Sequence, residues 1–339
     1  METRALDPFD DAQMRRFYDV TWRAEMEDGR PWNIHWTYDE LAATLRESPD
    51  DHKMEGVQLL DDDGTVLAAG VIGYGLLDNT DKAWVYPMVD PPHRRRGHGT
   101  ALLEGLIARC HELGRSTVTM NASYAGPEDD SAVPVRFAAA NGFHLSNTEI
   151  SRRLHLPVDE ALLDAVDADS RAHRVGYTVE TYVDEIPDHL LESYCGLVNQ
   201  LIVDAPTGEV DYEASATTPE TTKQRFAQNR KVGRTVFYSL AVKDGEAVAQ
   251  SDLAVQAGDT HKALQWATLV RRDHRGHRLG AAVKVANLRA LQRERPDVVQ
   301  IDTENAETNA HMVSINERLG FEIVAVSPSF VRRFGRDQD

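Results

Sequence analysis

The sequence predicts a two-domain α/β protein, and three observations carry that prediction. A basic, glycine-bearing loop occurs twice, as His93-Arg94-Arg95-Arg96-Gly97-His98-Gly99 and as His274-Arg275-Gly276-His277-Arg278-Leu279-Gly280. Each copy sits between an apolar strand candidate (83–89; 263–270) and a helix-like run (100–112; 281–293). The chain has 339 residues, 41% of them hydrophobic, which is enough for two ordinary cores, and the loops divide it nearly in half. We read a tandem duplication.

In the first half, periodicity predicts helices at 10–25 and 37–47, then strands at 56–60 and 66–76 around the turn Asp61-Asp62-Asp63-Gly64. The strand 83–89, the loop and its helix follow. Next come a strand at 116–121, an acidic loop at 126–131, a helix at 133–140, and Gly142-Phe143 leading into closing strands, the last at 150–156. The Asp- and Ala-rich stretch after Pro157 reads as a linker with a short helix, so the expected boundaries are 1–157, a linker at 158–174, and 175–339.

The second half repeats this order. A strand is expected at 177–183, helices at 187–201 and 219–228, and a meander at 236–242, 247–255 and 263–270 with turns at Asp244-Gly245 and Gly258-Asp259. The loop and its helix precede a strand at 298–303, a helix at 309–319, and Gly320-Phe321 opening the final strands. Between the two early helices, 203–218 is a long loop of the kind that often carries function.

Composition narrows the function classes. A formal charge of −18 argues against a nucleic-acid partner, because the arginines are local rather than spread over a basic surface. No stretch approaches the ~18 apolar residues of a membrane helix, and residues 1–11 carry three aspartates and no apolar signal core, so a cytoplasmic protein is expected. Cys110 and Cys195 read as buried free thiols rather than a disulfide or metal site.

The loops themselves are anion sites. Unpaired N–H groups at a helix's first turn point outward with the positive end of its dipole, glycine lets the chain approach phosphate oxygens closely, and arginine adds charge-assisted hydrogen bonds.

The order strand, Arg-x-x-Gly-x-Gly, helix, strand, helix, Gly-Phe, strand resembles the GCN5-related N-acetyltransferase (GNAT) superfamily, which uses acetyl-CoA. The first copy, Arg94-x-x-Gly97-x-Gly99, matches the family's CoA loop throughout; in the second, Arg275-x-x-Arg278-x-Gly280, an arginine replaces the middle glycine. The tandem layout is similar to two-domain actinobacterial members such as mycothiol synthase. The resemblance implies a central mixed sheet flanked by helices in each half. It places CoA on Val89, Arg94, Arg95, Arg96, Gly97, His98, Gly99 and Thr100 in the first half. In the second, CoA contacts fall on Val270, Arg275, Gly276, His277, Arg278, Leu279 and Gly280, with Asn309 at the pantetheine arm.

Acetyl transfer needs a proton acceptor for the amine, a donor for the carbonyl oxygen as it gains charge, and a fate for the leaving thiolate. In the family, the oxyanion donor is a backbone N–H seven residues before the loop's first arginine. That position is Thr268 in the second half and Pro87, which has no N–H, in the first. A tyrosine general acid commonly lies four residues before the glycine of Gly-Phe; here Asn316 and Ala138 stand there. Both comparisons favour chemistry in the second half.

Base candidates are Asp302 and Glu304, which alternate with Ile301 and Thr303 and so share a strand face, together with Asp252 and His261. Asp204, Glu209 and Asp211 would make the 203–218 loop an acidic acceptor pocket suited to an amine. Trp32-Asn33-Ile34-His35-Trp36 occupies the corresponding place in the first half, where the paired tryptophans either plug an unused pocket or bind an aromatic or aliphatic acceptor. The expected function is acetyl transfer from acetyl-CoA to a primary amine of a small molecule by a monomer or homodimer without a metal. A non-catalytic acyl-CoA sensor and a mycothiol-synthase-like transferase are the alternatives.

Overall fold

The computed structural model describes residues 1–26 and 36–335. In chain order the elements are β1 (Glu2–Ala5), α1 (Asp11–Met26), α2 (Tyr38–Arg46), β2 (His52–Leu60), β3 (Val66–Gly75), β4 (Lys82–Val89), α3 (His98–Glu112), β5 (Thr117–Asn121), α4 (Val133–Ala140) and β6 (His144–His155). Then follow α5 (Glu160–Arg171), β7 (Thr178–Val183), α6 (Asp188–Asp204), α7 (Pro219–Lys231), β8 (Thr235–Lys243), β9 (Glu246–Val255), β10 (Lys262–Val270), α8 (Leu279–Glu294), β11 (Gln300–Ala306), α9 (Ala310–Leu319) and β12 (Glu322–Arg333). The α/β class and the element order expected from sequence are present.

These elements form two compact units: Met1–Thr148 with Gly208–Val210 and Val326–Asp339, and Glu149–Thr207 with Asp211–Ala325. In the first unit the strand order is β1-β2-β3-β4-β5-β12, antiparallel except for the parallel pair β4 and β5. The α1 stripe Met14, Phe17 and Val20 joins Leu41 and Leu45 of α2 over one sheet face. Leu102, Leu103 and Leu106 of α3 cover the other against Leu59 and Ile72. β3 is buried almost throughout because both its faces are covered.

The second unit has the order β6-β11-β10-β9-β8-β7, in which β10 and β11 are the parallel pair. Leu190, Leu191 and Tyr194 of α6 and Phe226 of α7 cover one face. The apolar side of α8 covers the other, joined by Leu163 and Val166 of α5. The hairpin between β8 and β9 turns through Asp244 (φ 52°) and Gly245 (φ 85°), the left-handed pair a two-residue turn needs.

Two expectations are corrected. The closing strands are exchanged: residues 149–155 of β6 pair with β11 in the second unit, while residues 329–333 of β12 pair with β5 in the first. A strand's own sequence encodes its pleat and burial, not the edge it joins, so a boundary at 157 follows the chain and not the packing. The stretch 158–174 is more than a linker, since α5 contributes buried side chains to the second core. β1 was not anticipated, because its four exposed residues show no apolar alternation.

Candidate functional site

Each parallel strand pair parts to form an opening. β4 and β5 pair from Lys82 and Thr117 to Val85 and Met120, and β4 then runs on through Val89. β10 and β11 part after Leu264 and Asp302, and β10 carries a bulge at Trp266, between Gln265 and Ala267. The loop and helix that follow each strand start beside this opening.

The two loops follow one backbone path. Arg95 (φ 62°) and Gly97 (φ 84°) are left-handed in the first; Gly276 (φ 86°) and Arg278 (φ 55°), at the same two positions, are left-handed in the second. Glycine and arginine have changed places, so each loop bears about 1–2 kcal/mol of strain at one arginine rather than losing its shape. Nothing lies within 4 Å of where a Cβ would stand on Gly97 or Gly276, so these backbones face open space and fit a phosphate-bearing group. Gly99 has a packing reason: a Cβ there would lie 3.1 Å from Phe137 and 3.3 Å from Val89. The His98 and Leu279 side chains are buried, which leaves only their backbones for a ligand.

Side chains distinguish the loops. In the first, Arg94 Nη2 donates to Ala24 O (2.9 Å) and Nε to Val89 O (3.2 Å), while Arg95 and Arg96 are exposed. In the second, Arg272 Nε donates to Asp204 Oδ1 at 2.8 Å, and Arg275 also pairs with Asp204. Arg278 pairs with Asp169, which Arg318 reaches at 3.0 Å. Burial pushes the Asp204 carboxyl up, but the hydrogen bonds from Arg272 and Gln200 and the charge of Arg275 hold it below the usual range. Carboxylates thus already occupy the arginines of the second loop.

Backbone direction decides the oxyanion position. Asp90 N–H donates to Leu67 O on β3 at 3.1 Å, so by the antiparallel alternation Met88 and Tyr86 also face β3 while Val89 and Pro87 face the opening. Arg271 N–H donates to Val248 O at 2.9 Å, so Thr268 and Val270 likewise turn from β9 toward the opening. The second unit aims a backbone N–H there; the first aims a proline ring.

The predicted acids and bases separate. Asp252 on β9 lies opposite Ala267, the residue before Thr268, and faces α6, where Tyr194 Oη donates to its Oδ2 at 2.9 Å. It is 5% exposed, and burial pushes its carboxyl up to about 7 despite the Tyr194 bond. Its Oδ1 and both side-chain polar atoms of Gln250, two residues away on the same strand face, have no hydrogen-bond partner among the described residues. Asp302 is engaged by Arg153 through Nε (2.7 Å) and Nη2 (2.9 Å), which removes it as a base. Glu304 is exposed and accepts from Ser151 at 2.6 Å; burial and the Glu304 charge push neighbouring Glu149 up to about 7. His261 bonds Asp297 O (2.8 Å) at the start of β10, away from the opening.

Asn316 is enclosed. It accepts from Lys284 Nζ at 2.8 Å and donates to Asn305 at 3.0 Å. Lys284 is 3% exposed, and burial pushes its ammonium down to about 7. Asn309 caps α9, accepting from Met312 N–H at 3.3 Å. Sequence reasoning missed Tyr194, Gln250, Glu149 and Lys284; only Lys284 carried a signal, as a lone charge among Ala281, Ala282, Val283 and Val285.

The acidic acceptor pocket expected in 203–218 does not assemble. Asp204 belongs to the second loop as described, and Glu209 pairs with His144 (3.0 Å) and Arg333 within the first unit. Asp211 is exposed. One loop segment was split by packing that its sequence does not show.

In the first unit the corresponding face is a cavity of about 200 Å³ lined by α1, α2 and β4 residues, with Trp36 at its side. The expected segment 32–35 lies outside the described residues; Trp36 is inside them.

The Acetyltransferase (GNAT) family is matched over residues 12–134. No curated protein matches the chain by sequence. Among solved structures, a tandem GNAT protein from the clavulanic acid biosynthesis pathway is similar at 27% identity and a TM-score of 0.76, with 99% of each chain covered. A GCN5-related N-acetyltransferase from Sphaerobacter thermophilus shares the fold at 19% identity and a TM-score of 0.63, covering 99% of this chain and 97% of its own. Residues 12–134 thus match the acetyltransferase (GNAT) family, and the chain as a whole shares the architecture of a tandem GNAT protein.

Proposed function

We propose that this protein transfers an acetyl group from acetyl-CoA to a primary amine of a small molecule, with the chemistry in the second unit. The GNAT fold supports acyl-CoA-dependent acyl transfer in general. The observation that carries the finer reading is the placement of Asp252, poised near neutrality, one strand-pair step from the Thr268 N–H. Acetyl-CoA, when bound, supplies an activated acyl thioester.

The backbone of Gly276 to Gly280 would hold its pyrophosphate. Thr268 N–H stabilises negative charge developing on an oxygen placed in the opening, a role in which one donor is typically worth about a hundredfold or more in rate. Asp252 takes the proton of the attacking amine.

A second reading, a non-catalytic acyl-CoA-binding or sensing protein, is favoured by one feature: Asp204 and Asp169 already neutralise the second loop's arginines. A mycothiol-synthase-like transferase is a narrower form of the first reading. Release of free CoA over a panel of amines, one of them a cysteinyl glycoside, separates these three. Gly280→Glu should abolish release while Gly99→Glu leaves it largely intact. Loss from Gly99→Glu alone would move the chemistry to the first unit, and no release from any amine would favour the sensor.

A further inference from the structure

We propose that Lys284 is the buried cation that stabilises the thiolate leaving the acyl group in the second unit. The inference rests on the acyl-transfer reading of that unit and adds a residue to it. Gly280, the last glycine of the second loop, faces β10 beside the opening: a Cβ on it would stand 3.9 Å from Thr268 Cγ2, 3.8 Å from Val270 Cγ2 and 3.5 Å from Ile315 Cδ1 of α9. Lys284 follows one turn later on the same face of α8, and its Nζ donates to Asn316 of α9 at 2.8 Å. Asn316 in turn donates to Asn305, on β11 beyond its last pair with β10. The lysine and two asparagines therefore form a polar chain along the α8 side of the opening. Asp252 stands on the other side of the sheet, under Tyr194 of α6.

Packing does not call for a lysine here. The first unit carries Leu103 four residues after Gly99 and Ala138 four residues before Gly142, where the second carries Lys284 after Gly280 and Asn316 before Gly320. Leu103 and Ala138 lie in an apolar core. Lys284 is 3% exposed, and among the described residues no carboxylate pairs with it; Phe321 offers only a ring face, 5.3 Å from Nζ. Arg152 reaches the same chain through Asn305 at 3.2 Å, but Glu307 neutralises it. Burying an uncompensated ammonium costs folding free energy that a leucine would save, which makes Lys284 a residue kept for its charge.

That charge has a use in the transfer step. As the amine nitrogen bonds to the acyl carbon, the C–S bond breaks, its electron pair goes to sulfur, and Asp252 takes the proton of the amine. The thiolate needs a favourable field on the side away from the Asp252 carboxylate, which would repel it, and Lys284 supplies one. In a water-poor interior the charge acts across a gap without touching the sulfur. Burial pushes the ammonium down to about 7, and an anion forming beside it draws that value back up, so the cation is present as the anion appears.

The test reads binding as well as turnover. The full chain is titrated calorimetrically with desulfo-CoA and with the sulfonic-acid form of CoA, which carries a permanent negative charge at the sulfur position; binding at the second loop is the part lost with Gly280→Glu. There the sulfonate should bind about tenfold or more tightly than the desulfo form. Lys284→Leu, which installs the residue of the first unit, should erase that preference, leave desulfo-CoA affinity unchanged, and lower kcat for CoA release by about tenfold or more. If Lys284→Leu does not fold by circular dichroism, Lys284→Met carries the same expectations. Equal affinity for the two forms, or a preference that survives the substitution, overturns the proposal, and amine turnover alongside either result leaves the transfer reading standing. A preference lost with Lys284→Leu in a protein that releases CoA to no amine supports the cation and sinks the transfer reading alone.

Discussion

At the strand pair beside each opening, the first unit sets Tyr86 opposite Val71 and Met88 opposite Ala69, whereas the second sets Ala267 opposite Asp252 and Leu269 opposite Gln250. The backbone scaffold is the same; the chemistry on its helix-covered face is not. In the first unit large side chains on the last strand of the meander meet small ones and close an aromatic cavity. In the second the same face holds a buried carboxylate opposite a small residue, and beside it a buried amide whose side-chain polar atoms have no partner among the described residues. A duplicated fold can thus hold an apolar face and a titratable one, because strand alternation fixes where side chains point but not what they are.

The loops differ in the same spirit. Both retain two left-handed positions and a helix start, yet the first leaves Arg95 and Arg96 exposed while the second ties its arginines to Asp204 and Asp169. A pyrophosphate reaching the second loop would compete with the Asp204 carboxylate for Arg275.

The sharpest way to break this comparison is Asp252→Asn. If Asp252 is the base, kcat should fall by about 10²–10⁴-fold. The rate of the unmodified protein should rise with pH through about 7, as the carboxyl ionises, and the variant should lose that rise. A flat profile with full activity would return the role to Glu304. Next in size, Thr268→Pro gives the second unit the proline of the first and should cost on the order of a hundredfold in kcat, provided circular dichroism shows an intact sheet.

Asp204→Asn should strengthen CoA binding at the second loop by roughly tenfold, the worth of one charge competing for a bidentate partner. Calorimetry that shows weaker binding instead would mean that Asp204 positions the arginines rather than competing for them. The smallest effect concerns Lys284. Its folded pKa is lowered from 10.5 to about 7, so its contribution to stability is fully present above 10.5 and lost as pH falls toward 7. Lys284→Met should flatten the melting temperature over that window, by a few °C. An unchanged pH dependence of melting would show that the ammonium is paired after all. Asp252, with its pKa raised, acts in the opposite sense between about 3.8 and 7, outside this window.

The sequence by itself determined whatever is local. The repeated loop, the helices that follow it, the Asp244-Gly245 turn and the order of elements were legible because they depend on spacing, capping and left-handed residues within a few positions. Pro87 against Thr268 was legible too, since a missing N–H needs no tertiary structure to be noticed. Tertiary structure alone decided which edge β6 and β12 join, since any strand can pair with any compatible neighbour. It moved Asp204 from the expected acceptor pocket to the second loop and committed Asp302 to Arg153. It left Asp252 to titrate near neutrality, because a carboxyl's pKa is set by burial and by partners brought from distant segments. The aromatic cavity has the same origin: α1 and β4 supply rings more than sixty residues apart, and only the packing of a helix on a sheet brings them together.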